Sequence, residues 1–190
     1  MANAFGEPMA TVILVTGGSR SGKSDYARLR GEALEGARAF VATCPVVDEE
    51  TAERIRRHQQ ERSPDVWDTI EEPVKLKEVI LEADNYSVIL VDCLTLWINN
   101  LLHEAYMSGD AVSEDYVVCR ANELLEACST HQGTVIFVTN EVGWGIVPEN
   151  ALARQYRDLV GRCNRVLSAA AHEVVLVAAG IPLVLKKSEP

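Results

Sequence analysis

The sequence predicts an α/β domain: a mostly parallel sheet flanked by helices, closed by a C-terminal antiparallel hairpin. Three observations carry that prediction. Short β-branched apolar runs alternate with helical patterns along the chain, the runs are apolar almost throughout rather than at every second position, and a single glycine separates the last two. A continuous apolar run is how a strand reads when helices cover both of its faces. A one-residue link is too short for a parallel crossover and requires a tight antiparallel return.

The elements follow in order. Residues 1–10 read as a loosely held extension, since Gly6 and Pro8 interrupt any regular element, and 11–190 read as a single domain. "TVILVTG" (11–17) is the first strand, and a glycine-rich turn leads from it into a helix over 24–34. "ARAFVAT" (37–43) is the second, followed by helical patterns at 49–62 and 74–83. "SVILVDC" (87–93) comes next, then a helix over 94–104. The pattern breaks around Gly109 and Asp110, so "YMSGDAVS" (106–113) is expected to be a mobile connection before the helix over 114–130. "GTVIFVT" (133–139), a helix over 151–171, "EVVLVAA" (173–179) and "IPLVLKK" (181–187) complete the order. Ligands of such a doubly wound sheet are expected at the carboxyl ends of its strands.

Composition excludes several roles. A formal net charge of −10 over 190 residues argues against broad binding to nucleic acid or anionic membranes, which needs a surplus of Lys and Arg. Any anionic ligand must meet a local basic site. Cys44, Cys93, Cys119, Cys128 and Cys163 are odd in number and widely spaced, without a C-x-x-C pair, and read as reduced, buried hydrophobes of a cytoplasmic protein. The opening "MANAFGEPMA" has no basic stretch of the kind a signal peptide needs, and the longest apolar run, 174–185, is too short to span a bilayer. Neither export nor membrane insertion is expected.

Directly after the first strand, "GGSRSGKS" matches G-x-x-x-x-G-K-[ST] at every fixed position. In such a phosphate loop the glycines let backbone N–H groups face phosphate oxygens. Lys23 reaches the β- and γ-phosphates, and the Ser24 hydroxyl ligates Mg²⁺ at a helix N-terminus. The alternative is a strand-to-helix turn without a ligand. A second Mg²⁺ ligand is expected at the end of a neighbouring strand, where Asp92 closes "SVILVD". Asp92 can also be read as the cap of the next helix. "TNEVGWG" lacks the N-K-x-D tetrad of guanine-specific switch proteins, which disfavours a switch GTPase.

A basic turn stands out in this acidic chain. In "AERIRRHQQER", Arg54, His58 and Arg62 fall at i, i+4 and i+8 on one helical stripe, beside a more buried face of Ala52, Ile55 and Gln59. Neighbouring arginines depress an imidazole pKa and favour a neutral ring able to attack phosphorus. The plainer reading is a solvated basic face. His103, His131 and His172 lack such surroundings and read as ordinary helix-end or surface residues. In "NEVGWGIVPEN", Asn150 is placed to cap the next helix. The loop either serves only as a connection, or lines the mouth for a large substrate or packs between subunits. Arg154, Arg157, Arg162 and Arg165 on that helix are phosphate ligands or its polar face.

Together "ILVTGGSRSGKS", "RIRRHQQER" with "WDTIEEP", "VDCLTLWINNLL" and "VTNEVGWGIVPEN" leading into "ALARQYRDLVGRCNRVL" resemble the bifunctional adenosylcobinamide kinase / adenosylcobinamide-phosphate guanylyltransferases of cobalamin biosynthesis. The resemblance runs from Thr11 onward. It implies a RecA-like P-loop NTPase fold and a homotrimer. It also implies two steps: ATP or GTP phosphorylates adenosylcobinamide, and GTP then guanylylates adenosylcobinamide phosphate, releasing pyrophosphate. His58 occupies the position that carries the family's GMP intermediate, and Lys23 and His58 are the residues expected to be catalytic. Nucleotide contacts are implied for Gly17, Gly18, Ser19, Arg20, Ser21, Gly22, Lys23 and Ser24, for Thr43, Cys44 and Pro45, for Gln59, Gln60, Glu61 and Arg62, and for Glu71 and Asp92. Arg57 stands where some relatives carry a second histidine. Two other readings remain open: a simple P-loop small-molecule kinase without a covalent intermediate, and a nucleotide-dependent regulatory module.

Overall fold

The computed structural model describes residues 10–45 and 66–188. The helix expected over 49–62, with His58, Gln59, Gln60, Glu61 and Arg62, lies outside the described residues, as do 1–9. The chain runs β1 (Thr11–Gly17), α1 (Lys23–Glu32), β2 (Arg38–Ala42), β3 (Asp68–Glu71), α2 (Leu76–Glu82), β4 (Val88–Asp92), α3 (Leu94–Ser108) and α4 (Glu114–Thr130). It continues through β5 (Thr134–Val138), a 3₁₀ turn (Val142–Trp144), α5 (Ala151–Ala170), β6 (Glu173–Ala178) and β7 (Ile181–Lys187).

The strands form one sheet in the order β3-β2-β4-β5-β1-β6-β7, parallel throughout except for β6–β7. Parallel pairing requires a return crossover, and described helices supply it after β1, β3, β4 and β5. One register row joins Val15 of β1, Val138 of β5 and Asp92 of β4, so β4 and β5 end level with one another while β1 runs two residues further, to Gly17.

Alternate residues of β1, β2, β4, β5 and β6 enter separate cores. Val12 and Leu14 join Ile89, Val91, Val135 and Phe137 beneath α2 to α5, around the fully buried Trp97. Ile13 and Val15 face the other way, with Leu90, Ile136 and Val138, toward Ala27 of α1 and Trp67. Trp97 donates its indole N–H to the Val74 carbonyl at 2.8 Å, and Trp67 donates to the Glu32 carboxylate at 3.0 Å, so each buried indole has its polar partner. The Arg38 guanidinium donates to the Gly31, Glu32 and Leu34 carbonyls and so caps the C-terminus of α1.

Several expectations need correction. β3 was not predicted: "DTIE" is short and largely polar because it is an edge strand whose side chains are mostly exposed. Residues 106–108 of the expected connection are helical, while the break falls at Gly109 as expected, where a positive φ of 76° ends α3. The closing hairpin turns on two residues, Ala179 and Gly180, both at positive φ (51° and 80°), with Ala178 paired to Ile181. That is the primed turn that matches strand twist. Cys128 and Cys163 are buried as expected, Cys44 and Cys93 are half-buried, and Cys119 is exposed. His131 is at a helix end but is buried, with neither ring nitrogen hydrogen-bonded; burial lowers its pKa and the Asp84 charge opposes that shift. His172 extends β6, accepting the Val12 N–H on Nδ1 at 3.0 Å.

Phe137 is wholly buried on the strand between β1 and β4. Phe137→Ala should lower unfolding free energy by about 3–5 kcal/mol, the usual cost of a large aromatic cavity in a packed core. Urea denaturation checks it; a loss under about 1 kcal/mol would mean that the core beneath α2 to α5 is not tightly packed around Phe137.

Candidate active site

The phosphate loop is shaped by contacts that its sequence alone does not reveal. A Cβ on Gly17 would lie 2.4 Å from the Val177 carbonyl oxygen and 2.6 Å from Ser21 Oγ, so only glycine fits where the loop folds back against β6. Gly22, at φ 88°, precedes α1, and its carbonyl accepts the Tyr26 N–H that opens the helix. The hairpin turn reaches over from the neighbouring strand β6: the Gly180 N–H donates to the Ser21 carbonyl at 2.9 Å. Lys23 Nζ donates to the Gly18 carbonyl at 3.0 Å and closes the loop from inside. Loop, helix start and hairpin thus hold each other.

A cavity of about 530 Å³ opens above this loop. It is lined by Ser19 to Asp25, by Phe40, Ala42 and Cys44 of the β2 end, by Asp92, Cys93, Thr95 and Leu96, and by Asn140 and Tyr156. Parallel pairing brings these segments together because β1, β2, β4 and β5 all end at one edge. Asp92, half-buried, sits two strands from the loop with β5 between them. The capping role for Asp92 is not what the structure shows: Cys93 occupies the N-cap of α3, with no side-chain cap.

The remaining expected residues take different places. Thr43 is wholly buried beneath the cavity. Its hydroxyl accepts the Cys93 N–H at 2.7 Å and donates to the Cys93 carbonyl at 2.8 Å, so it joins the ends of β2 and β4. Cys44 reaches the lining, while Gly17, Gly18, Thr43 and Pro45 do not. Glu71 ends the edge strand β3, exposed and outside the lining. None of the arginines on α5 lines the cavity. Arg154 donates to the Pro148 and Glu149 carbonyls, Arg157 pairs with Asp158, Arg162 lies 3.7 Å from the Glu114 carboxylate, and Arg165 is exposed; they are the helix's polar face.

Comparison with known proteins decides what these parts belong to. The CobU family, described as cobinamide kinase / cobinamide phosphate guanyltransferase, matches residues 13–185. The chain belongs to this family. It is 42% identical over 185 residues to the bifunctional adenosylcobalamin biosynthesis protein CobU of Escherichia coli (strain K12), spanning 92% of this chain and 99% of that one. CobU of Salmonella typhimurium (strain LT2) is 43% identical over the same shares, and CobP of Pseudomonas aeruginosa is 36% identical over 91% of this chain and 96% of that one. An ATPase from the type III secretion system of pathogenic bacteria matches in structure with a TM-score of 0.58, covering 88% of this chain and 51% of that chain. At 11% identity, that likeness is one of fold, a P-loop nucleotide-binding fold. As a CobU-family member the chain is a bifunctional transferase, a kinase and guanylyltransferase of adenosylcobalamin biosynthesis.

Within this CobU-family site, two cavity-lining side chains that could resemble nucleophiles stay protonated. Burial, with the Asp92 charge adding, pushes the Cys93 thiol up to about 11, and burial pushes the Tyr156 hydroxyl up to about 12. Among the described residues no histidine lines the cavity.

Sequence reading missed the polar group at the end of β5. The Thr139 hydroxyl donates to Asn164 Oδ1 at 2.6 Å, Asn164 Nδ2 donates to the Asn140 carbonyl at 3.1 Å, and the Thr16 hydroxyl donates to the Glu141 carboxylate at 2.6 Å. The available signal was the polar sequence "TNE" immediately after an apolar strand. Asn164→Ala would leave the buried Thr139 hydroxyl and the Asn140 carbonyl unpaired, and should cost about 1–3 kcal/mol in urea denaturation. A change below about 0.5 kcal/mol would show that the network does not support this edge.

Proposed function

We propose that the chain phosphorylates the aminopropanol hydroxyl of adenosylcobinamide with ATP or GTP, and then transfers GMP from GTP to that phosphate through a covalent intermediate on His58. The products of the second step are adenosylcobinamide-GDP and pyrophosphate. The observation that carries this reading is that the phosphate loop and Asp92 open onto one cavity, in a chain whose family has both activities.

The roles follow from chemistry. Backbone N–H groups of Gly17 to Ser24 and the start of α1 receive the phosphates, and Lys23 exchanges the Gly18 carbonyl for β- and γ-oxygens. Ser24 and Asp92 line the same cavity and offer one hydroxyl and one carboxylate. Such a hard-oxygen pair suits Mg²⁺, which takes few protein ligands beside phosphate oxygens and water. Among the described residues no group of three or more His, Cys, Asp or Glu could hold a metal by itself. When bound, Mg²⁺ supplies charge neutralisation at the phosphates. Cys44 and Pro45, Gln59 to Arg62 and Glu71 complete the nucleotide surroundings in this reading, with Thr43 anchoring the β2 end.

In guanylyl transfer a His58 ring nitrogen bonds to the α-phosphorus as the bond to the α–β bridging oxygen breaks, and pyrophosphate leaves with that electron pair. A phosphate oxygen of the acceptor then bonds to the same phosphorus and the N–P bond breaks, returning the imidazole. Splitting one displacement in two lowers each barrier. The protonated states of Cys93 and Tyr156 favour a nucleophile other than these two. Trp144, Ile146, Val147 and Leu152 are exposed on the loop and helix that follow β5, and supply an apolar rim suited to a large corrinoid.

The reading extends to a homotrimer in the cytoplasm. Ile181, Leu183, Val184 and Leu185 leave the edge strand β7 apolar and exposed, a surface that assembly would cover. A monomer mass in sedimentation equilibrium would remove that part.

With Mg²⁺ and GTP labelled at the α-phosphate, the denatured chain should carry acid-labile, alkali-stable label that His58→Ala abolishes. Label retained by the variant, or no label despite GTP binding, would leave a kinase without this intermediate. Lys23→Ala should slow both steps at least about 100-fold. Steady-state assays of each half-reaction check it, and a loss confined to one step would divide the phosphate loop's role.

A further inference from the structure

Asn140 is held in place by every group around it except its own side chain. The Thr139 N–H donates to the Val15 carbonyl at 2.9 Å and the Glu141 N–H donates to the Gly17 carbonyl at 3.1 Å. Asn164 takes up the Asn140 carbonyl, and the side chains on either side, Thr139 and Glu141, are both engaged. Asn140 lines the cavity, and its Oδ1 is buried without a hydrogen-bond partner. Among the described residues, only Ser21 Oγ shares both properties. Ser21 belongs to the phosphate loop; Asn140 does not. A buried acceptor left unpaired costs free energy, of the order of a lost hydrogen bond, unless something in the cavity donates to it.

Position narrows what that donor is. β5 lies between β1 and β4, and Asn140 follows Val138, which shares a register row with Val15 and Asp92. Adjacent strands are about 4.8 Å apart, so Asn140 sits midway across a gap of about 10 Å between the phosphate-loop strand and the Asp92 strand. A group reacting at the terminal phosphate of a nucleotide on the loop has to approach over this gap. Phosphate oxygens are acceptors and cannot satisfy Oδ1. An alcohol O–H can.

We propose that Asn140 is an acceptor-orienting residue of the kinase step, its Oδ1 accepting a hydrogen bond from the hydroxyl of the phosphoryl acceptor. This rests on the bifunctional reading above. The alcohol oxygen bonds to the γ-phosphorus, the bond from that phosphorus to the β–γ bridging oxygen breaks, and the nucleoside diphosphate leaves with the electron pair. The alcohol proton passes to an oxygen of the transferred phosphoryl group and then to solvent. An amide carbonyl is too weakly basic to take that proton, so Asn140 aims the O–H and its lone pairs without acting as the base. The second step has no such requirement, because its acceptor is a phosphate with no proton to present at neutral pH.

The two half-reactions separate these roles. Asn140→Ala and Asn140→Asp are assayed in the kinase direction with ATP and adenosylcobinamide, and in guanylyl transfer with GTP and adenosylcobinamide phosphate; MgATP titration verifies that each variant folds and binds nucleotide. The expected result is a kinase kcat/KM lowered by Ala about ten-fold more than guanylyl transfer, with Asp, which keeps an acceptor oxygen, recovering part of that ratio. Equal losses in both steps, a loss traced to MgATP affinity, or no loss would overturn the assignment. A wild-type protein without kinase activity would sink the proposed function, and this inference with it; failure of the variants alone would leave that reading standing.

Discussion

The site depends on the direction of its strands. Because every strand but β7 runs the same way, the chain leaves the sheet at one edge after β1, β2, β3, β4 and β5 alike. Backbone N–H groups, a carboxylate and an amide can therefore face one cavity although they are far apart in sequence. Placing β5 between β1 and β4 sets the spacing. With β1 and β4 adjacent, the phosphate loop and Asp92 would be about 4.8 Å apart across the sheet, with no strand end between them to carry a residue such as Asn140.

The rest of the edge keeps that geometry in place. Thr43 and Cys93 exchange hydrogen bonds between the β2 and β4 ends, Asn100 donates to the Thr43 carbonyl, and Glu141 ties the β5 end to β1 through Thr16 and Gly17. Buried polar groups stabilise only when paired, and fully paired networks fix one arrangement. The β6–β7 turn belongs to this frame, since Gly180 holds the loop from the side opposite Asp92. The antiparallel addition thus supports the phosphate loop as well as extending the sheet.

Much of this was legible in the sequence, for physical reasons that can be named. Strands buried on both faces show as apolar runs, which is why β1 coincides with the stretch read from sequence, β6 differs by one residue at one end, and β2, β4 and β5 by one residue at each end; β7 coincides too, because it is apolar although exposed. Asn150 caps α5 as expected, accepting the Leu152 and Ala153 N–H groups. β3 escaped because this edge strand is short and largely polar, and so has no apolar signature. The buried state of His131 and the anchoring role of Thr43 escaped because one residue's letter does not say which long-range partners surround it. Asn140 escaped for the same reason: its importance lies in an unmet hydrogen bond, and only the three-dimensional neighbourhood shows which bonds are met.

An acidic chain that handles triphosphates has to concentrate its positive potential. Among the described residues lining the cavity, Lys23 and Arg20 are the cationic side chains, set against Asp25 and Asp92. In the proposed reading, that balance gives backbone N–H groups and a metal a share of the phosphate charge, without the penalty of bringing further side-chain cations together. It also suits two reactions at one place. A rigid loop that grips phosphates without specifying which phosphorus reacts leaves the choice to whatever lies beside it. An amide acceptor over the central gap would favour an alcohol attacking the terminal phosphorus. A histidine reaching the α-phosphorus would favour nucleotidyl transfer. On this argument the two activities share their binding energy and differ in their nucleophile positions, so residues specific to one step should be found beside the loop rather than in it.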